Sequence, residues 1–312
     1  MKRLFLVALI GCILFSLVTN FAYAKVTKEW LQWIKGEFEI PSDIQKVKSV
    51  SELQPFLDND DQFIRMASAK RLGELGDEAG ISLLLARFKK EPYETIMPPE
   101  GAPIVKLEII RALAKIGGEK AKIALIGILK EYWGKGPKVG DKEYFYSDGD
   151  FTYVVPLILE KLNAWALDND VFQTAKEIAL SEKLNDRIRG KDIRQNTWKL
   201  YLKGYVAHQK MSEKDSAKYL LNLANELTKK GVASESLEAA KGKATIEILE
   251  GYDEATLSSV KQDLETEREQ KKEQVNLNKA ATAEGNYDYF EYDGKINTID
   301  YIIEKKAKQK VK

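Results

Sequence analysis

Residues 64–90 and 105–131 decide the fold, because they repeat one pattern at an offset of 41 residues. They read IRMASAKRLGELGDEAGISLLLARFKK and VKLEIIRALAKIGGEKAKIALIGILKE. Apolar residues recur at three- and four-residue intervals in both halves of each copy, which predicts two amphipathic helices per copy. Gly76 and Gly117 stand where the first helix should end, since glycine enters the left-handed backbone region without a steric cost. Each copy therefore predicts a helix, a sharp turn and a second helix.

A third, more divergent copy follows at an offset of 49 residues from the second. Its first helix carries apolar residues at Val154, Ile158, Leu162 and Trp165, and its second helix has one apolar face over 171–178. The eight additional residues fall in the loop before this copy. Helix pairs that repeat at about this period predict an all-α fold, an α-solenoid built of stacked pairs.

The first copy resembles the HEAT repeat, in the short bacterial form that also occurs in phycobilin-lyase-like proteins. The positions that carry the resemblance are Asp61, Arg65 or Arg71, Ala69, Leu72, Gly73, Leu75, Gly76, Asp77 and Ala79. HEAT families mostly serve as protein-binding scaffolds, so the resemblance implies a non-enzymatic scaffold that binds a protein or peptide partner through its concave face and inter-repeat loops. It does not imply lyase chemistry, which rests on features outside the repeat motif.

Helical patterns on either side of these copies extend the expected array. We predict an N-terminal capping helix in 25–49, HEAT-like repeats in 50–182 and degenerate helical repeats in 183–252. A long charged and largely solvated helix should occupy 253–283, with a coiled-coil partner helix as the alternative. A small appendage with a basic tail should fill 284–312. Ser49 with Glu52, and Ser212 with Asp215, have the spacing of helix-capping boxes. One elongated helical array is the expected architecture.

The first 24 residues have the pattern of a secretory signal. Lys2 and Arg3 precede an apolar run over 4–18, and Ala22-Tyr23-Ala24 offers a cleavage site. We expect an exported protein, in the periplasm or outside the cell, with no stable membrane span after cleavage. Two alternatives are a retained anchor helix and a lipoprotein processed at Cys12, which follows a short lipobox-like stretch.

Composition excludes several kinds of site. The chain of 312 residues has 49 Lys and Arg, 48 Asp and Glu, one His and one Cys. Removal of the signal leaves 47 basic residues and no cysteine, which excludes disulfides, thiolate metal sites and a cysteine nucleophile. A single His excludes sites that need two imidazoles. The near-balanced charge gives no indication of a nucleic-acid partner. We therefore expect no cofactor, with calcium as the one exception considered below.

Two long loops, 91–103 and 133–151, are candidate binding segments. Both join the second helix of one copy to the first helix of the next, so both should emerge at the same edge of the array. Loops of this length are uncommon unless they are functional. The alternative is that their side chains fold back and cover the scaffold. The candidate partner-binding residues are Tyr93, Met97, Tyr144, Phe145, Tyr146, Asp148 and Asp150.

The stretch YDYFEYDGKINTIDYIIEK, residues 287–305, has two interpretations besides disorder. Asp293-Gly294 is a hairpin turn pair flanked by strand-like residues, which favours a β-hairpin. The same letters resemble the second half of a dockerin-type EF-hand loop, with Tyr289 at the first ligand position, which is normally Asp. The calcium ligands that this resemblance implies are Glu291, Asp293, Asn297 and Asp300.

Two other features have mainly structural interpretations. His208 lies near a predicted helix C-terminus and lacks any catalytic partner in the sequence, which favours a surface or packed residue. The tail Lys305–Lys312 should be a solvated terminus, with contact to anionic lipid as the alternative. One alternative stays open, an enzyme or an enzyme accessory subunit that acts on cell-envelope polymer, because two carboxylates alone can hydrolyse glycosidic bonds.

Overall fold

The computed structural model describes residues 35–92, 103–135, 149–181, 191–229, 237–278 and 289–310, together with Glu29 and Gln32. Helices, and no strands, make up the regular structure of these ranges. The first six helices are α1 Ser42–Gln45, α2 Val50–Leu57, α3 Gln62–Leu75, α4 Ala79–Lys90, α5 Ile104–Ile116 and α6 Gly118–Lys135. The following three are α7 Gly149–Leu162, α8 Asn169–Ala179 and α9 Lys191–His208. The last four are α10 Glu213–Lys229, α11 Leu237–Leu249, α12 Glu254–Asn278 and α13 Tyr289–Lys310.

The chain divides into two compact units, Met1–Leu157 and Ile158–Lys312, with the boundary inside α7. The single α-solenoid array expected from the sequence stays a prediction, whereas its all-helical character is confirmed for the described ranges. The third copy is divided by the boundary. Its first helix is also shorter than expected, because the chain continues as a 3-10 turn over Asn163–Trp165 after α7 ends at Leu162.

The two predicted helix pairs of the first unit are present as α3 with α4 and α5 with α6. Gly76 and Gly117 end the first helix of each pair at φ values of 68° and 73°. The two first helices pack on each other so closely that a Cβ at Gly73 would lie 2.8 Å from the Cα of Ala112. Buried apolar side chains such as Leu72 and Leu113 form the core between them.

Polar contacts fix the helices that flank this core. The hydroxyl of the buried Ser68 donates to the carbonyl of Leu53, which ties α3 to α2. Asp61 accepts a hydrogen bond from the Phe63 amide and caps α3. Ser49 precedes α2 as expected but makes no side-chain cap, so the first predicted capping box is wrong.

The core of the second unit is formed by α9 to α13, with Ala179 at the end of α8. Trp198, Leu220, Ile248, Leu257 and Ile299 are members of one buried apolar cluster. The second predicted capping box is present, because the Asp215 amide donates to the hydroxyl of Ser212, which in turn donates to the Asp215 carboxylate.

The C-terminal stretch corrects two expectations. Residues 289–310 form the continuous helix α13, so the β-hairpin is wrong. Ile296, Ile299 and Ile302 are buried, which makes α13 a core element rather than an appendage. The described part of the basic tail is also helical, and Lys305 and Lys310 pair with Glu250 and Glu254.

The long helix expected over 253–283 is observed as α12, but it is not solvated all round. Leu257, Val260 and Leu264 are buried against α10 and α13. No helix within the described ranges combines the length and the apolarity needed to cross a bilayer.

Candidate functional site

The residues predicted to bind a partner fall mostly outside the described ranges. This applies to Tyr93, Met97, Tyr144, Phe145, Tyr146 and Asp148. Asp150 belongs to the first turn of α7. The signal segment 1–24 and Cys12 also lie outside the described residues.

The predicted calcium ligands lie on α13, and the loop that calcium would require is replaced by a helix. Three of them make ion pairs: Glu291 with Lys295 at 2.7 Å, Asp293 with Arg268 at 2.9 Å, and Asp300 with Lys261 at 2.6 Å. Asn297 is exposed. Within the described residues, no group of three or more His, Cys, Asp and Glu side chains is arranged to hold a metal. The four residues named by the EF-hand resemblance therefore lie on a continuous helix, and calcium binding by this segment stays a prediction.

His208 ends α9 and is an exposed packing residue, in agreement with the sequence. Its ring stacks on Phe172 with centroids 4.5 Å apart. Phe172 also stacks on Tyr201 and lies directly over Gly204, where a Cβ would be 2.5 Å from the Phe172 ring. The imidazole thus belongs to an aromatic cluster at the surface of the second unit.

A groove of about 690 Å³ in the second unit is a candidate site among the described residues. It lies between the 3-10 turn after α7, the C-terminal half of α9, the start of α10 and the junction of α11 with α12. Its apolar lining includes Leu167, Val206, Met211 and Ile248. Leu167 is 70% exposed, an unusually open position for a leucine in the lining of a groove. Cavities of this size are typical of small-molecule sites.

Tight turns place the polar side chains of the groove. Lys210, at φ 53°, turns the chain from α9 to α10, and the Ser212 cap then sets Glu213 in the first turn of α10. On the other side, the amide of Gly251 donates to the carbonyl of Ile248 and closes α11. Asp253 accepts from the Thr256 amide at 2.6 Å and starts α12. Both turns open onto the same groove.

Lys203 is the cation of the groove. Its ammonium donates to the side-chain oxygen of Asn163 at 3.0 Å. Burial lowers the pKa of Lys203, and the positive charge of Lys199 lowers it further, while Glu247 acts in the opposite direction. Glu247 is already held by Lys199 at 2.7 Å and by Gln195. Among the residues that the structure describes, no carboxylate is within ion-pair distance of Lys203.

The carboxylates of the groove form a separate group. Glu213 and Asp253 are connected through Thr256, whose hydroxyl lies 3.4 Å from a Glu213 carboxylate oxygen. Hydrogen bonds from Thr256 hold the pKa of Asp253 below its usual range. Both carboxylates are exposed. Glycoside hydrolysis needs one carboxylic acid whose pKa is raised by an apolar environment. The hydrogen-bonded Asp253 does not supply such an acid, and the two negative charges of the pair can attract a cationic group.

Tyr252 and Ser216 complete the wall between the two charged groups. Ser216 is buried, and burial raises the pKa of the Tyr252 hydroxyl, against a hydrogen bond with Ser216 that lowers it. Lys306 of α13 donates to the carbonyl of Tyr252. These contacts fix the wall before any ligand binds, so the groove is largely preformed.

Sequence reasoning missed this groove. Its polar residues come from positions that are far apart in the chain, and each belongs to an ordinary helix or turn. The sequence features that came closest to predicting it were the capping box at Ser212 and the glycine at 251. They predicted two turns, but not that the two turns meet in space. Residues brought together by packing leave no local pattern.

Comparison with known proteins adds no assignment, since no family model, curated protein or solved structure matches the chain.

Proposed function

We propose that this protein is an exported, non-enzymatic binding protein, with HEAT-like helix pairs, that takes a peptide segment of its partner into the groove of the second unit. The observation that carries the proposal is the groove itself, with the exposed Leu167 beside an ammonium that has no carboxylate partner among the described residues. An apolar surface with a few fixed polar groups is the usual form of a ligand-binding site.

The HEAT-like architecture and export are parts of this proposal that rest on the sequence. The repeat at an offset of 41 residues and the close packing of α3 on α5 support stacked helix pairs in the first unit. The charged, apolar and small-residue segments of 1–24 support export. A binding role agrees with both, because helical repeat proteins mostly present surfaces to other polypeptides.

The test compares two exposed leucines of the same unit. Leu167 lies in the groove, whereas Leu180 is 58% exposed and outside it. Partners should be purified from the native envelope fraction with the mature wild-type protein, Leu167→Asp and Leu180→Asp. Mass spectrometry then identifies the bound polypeptides, and reconstitution from purified components checks direct binding. We expect one polypeptide to bind wild type and Leu180→Asp but not Leu167→Asp. Equal binding by both variants would rule out the groove.

The long loops are tested separately, because they were the binding segments that the sequence favoured. Deleting 134–150 would also remove residues of α6 and α7, so side-chain substitution is cleaner. A triple variant, Tyr144→Ala with Phe145→Ala and Tyr146→Ala, should leave helicity unchanged. Loss of the partner in this variant, with Leu167→Asp unaffected, would place binding at the loops instead.

A further inference from the structure

We infer that the groove recognises the C-terminal carboxylate of a short apolar peptide, held by Lys203, with the peptide's amino terminus directed to Glu213 and Asp253. This inference rests on the proposed binding function and specifies the ligand of the same groove.

Among the described residues, the ammonium of Lys203 has no carboxylate within ion-pair distance. A partly buried cation normally has a carboxylate partner, because removal of a charge from water is costly unless it is compensated. Lys203 has a neutral partner in Asn163, and Glu247, whose charge acts on its pKa, is bound by Lys199 and Gln195. Burial together with the repulsion by Lys199 lowers its pKa, and the opposing attraction of Glu247 is the smallest of the three effects. A ligand carboxylate at this position would supply it.

Part of the groove lining is apolar. Leu167, Met211 and Ile248 face the groove, and Leu167 is largely exposed. A side chain next to the bound carboxylate would cover this surface, and the hydrophobic effect favours an apolar one. The ligand should therefore end in an apolar residue such as leucine.

The two acids of the groove select against other anions. Glu213 and Asp253 lie in the same groove but not within ion-pair distance of Lys203. A phosphate ester or polyanion that reached Lys203 would be repelled by them, whereas a free amine would be attracted. A zwitterionic peptide therefore matches the groove, because its two termini carry the complementary charges.

The probe is tri-leucine with free termini, titrated into the mature protein by calorimetry. Its C-terminally amidated and N-terminally acetylated forms remove one charge each. We expect the free peptide to bind and the amidated form to bind about tenfold to a hundredfold more weakly, the range for a lost charged hydrogen bond. Acetylation should weaken binding less, because Glu213 and Asp253 are exposed and solvated.

Protein variants identify the residue that is responsible. Lys203→Met should bind the free and the amidated peptide equally weakly, whereas Lys176→Met, an exposed lysine of the same unit outside the groove, should behave as wild type. A melting curve for each variant separates loss of binding from loss of folding. A Lys203→Met variant that still discriminates between the two peptides would overturn the assignment.

Failure of this inference can be distinguished from failure of the proposed function. If free and amidated tri-leucine bind equally and Leu167→Asp abolishes both, the groove binds peptides and only the carboxylate assignment is wrong. If tri-leucine does not bind in any form, the carboxylate assignment is overturned, and the Leu167 and Leu180 comparison with the native partner still decides the proposed function.

Discussion

At the residue scale, two glycines in helix interiors have opposite roles. Gly73 lies at the contact of α3 with α5, where a Cβ would be 2.8 Å from backbone and 3.0 Å from the Cβ of Ala112. Gly127, in α6, is exposed and has nothing within 4 Å of a built Cβ. The first glycine is required by close helix packing, and the second is not.

Substitution of each glycine by alanine should therefore change stability in opposite directions. Gly73→Ala should destabilise by about 1–3 kcal/mol, because overpacking outweighs the better helix propensity of alanine. Gly127→Ala should stabilise by about 0.5–1 kcal/mol. Urea unfolding of both variants measures the difference. Stabilisation by both substitutions would mean that α3 and α5 are less closely packed than described.

Helix capping gives a second comparison at this scale. Asp61→Ala removes the acceptor of the Phe63 amide and should cost about 0.5–2 kcal/mol. Ser49 also precedes a helix but makes no cap, and its hydroxyl is near that of Ser51 at 3.4 Å, so Ser49→Ala should have little effect. Denaturant midpoints of the two variants check this, and equal losses would contradict it.

At the element scale, α13 is the clearest difference between expectation and structure. Asp293-Gly294 has the chemistry of a hairpin turn, and glycine within a helix costs about 1 kcal/mol. Burial of an isoleucine contributes about 1.5–3 kcal/mol, and α13 buries Ile296, Ile299 and Ile302 on one face. The apolar face therefore outweighs the local turn preference.

Substitutions on the two faces of α13 should have different effects. Ile299→Ala should destabilise by about 2–5 kcal/mol, since Ile299 is fully buried and its loss leaves a cavity. Tyr301→Ala is the control, because Tyr301 is 58% exposed on the same helix. Thermal unfolding of both variants distinguishes them. Similar effects of the two substitutions would argue against a docked α13.

Ion pairs between α10 and α12 predict a loss of stability in acid. Lys214 and Lys218 contact Asp263 at 2.8 Å each and lower its pKa from the usual 3.8. Folding therefore favours the ionised form of Asp263. Its contribution is fully present above pH 3.8 and is lost as pH falls through the lower folded pKa.

As the pH falls, the melting temperature of Asp263→Asn should decrease less steeply than that of wild type, which gives a shallower acid limb. At neutral pH its melting temperature should be lower than that of wild type. Glu177→Gln on α8 is an exposed control that should leave the limb as in wild type. Added salt should reduce the difference between Asp263→Asn and wild type, because Asp263 is solvated. Identical acid limbs in all three proteins would contradict a role for these pairs.

At the scale of the whole molecule, each unit has its own buried core, so a destabilising substitution should reduce protection from hydrogen exchange only within its own unit. Gly73→Ala should increase amide hydrogen exchange in α3 to α6 and leave α10 to α13 protected, while Ile299→Ala should do the reverse. Exchange followed by mass spectrometry measures both. Loss of protection throughout the chain in either variant would show that the two units unfold together.

The sequence by itself determined the helical class, the two helix pairs of the first unit and their glycine ends. These follow from local causes, since a period of 3.6 residues creates one apolar face and only glycine enters the left-handed turn at Gly76 without strain. It also predicted the helix cap at Ser212, because the capping pattern lies within four consecutive residues.

Only the tertiary structure decided that residues 289–310 form the helix α13, that the chain divides into two units and that the groove is present. The segment around Asp293-Gly294 has a turn signal that is outweighed by burial against partners distant in the chain. Lys203, Glu213 and Asp253 face one groove because the turn after α9 and the turn before α12 meet in space. Such proximity depends on packing energy summed over the core, which no local pattern of residues contains.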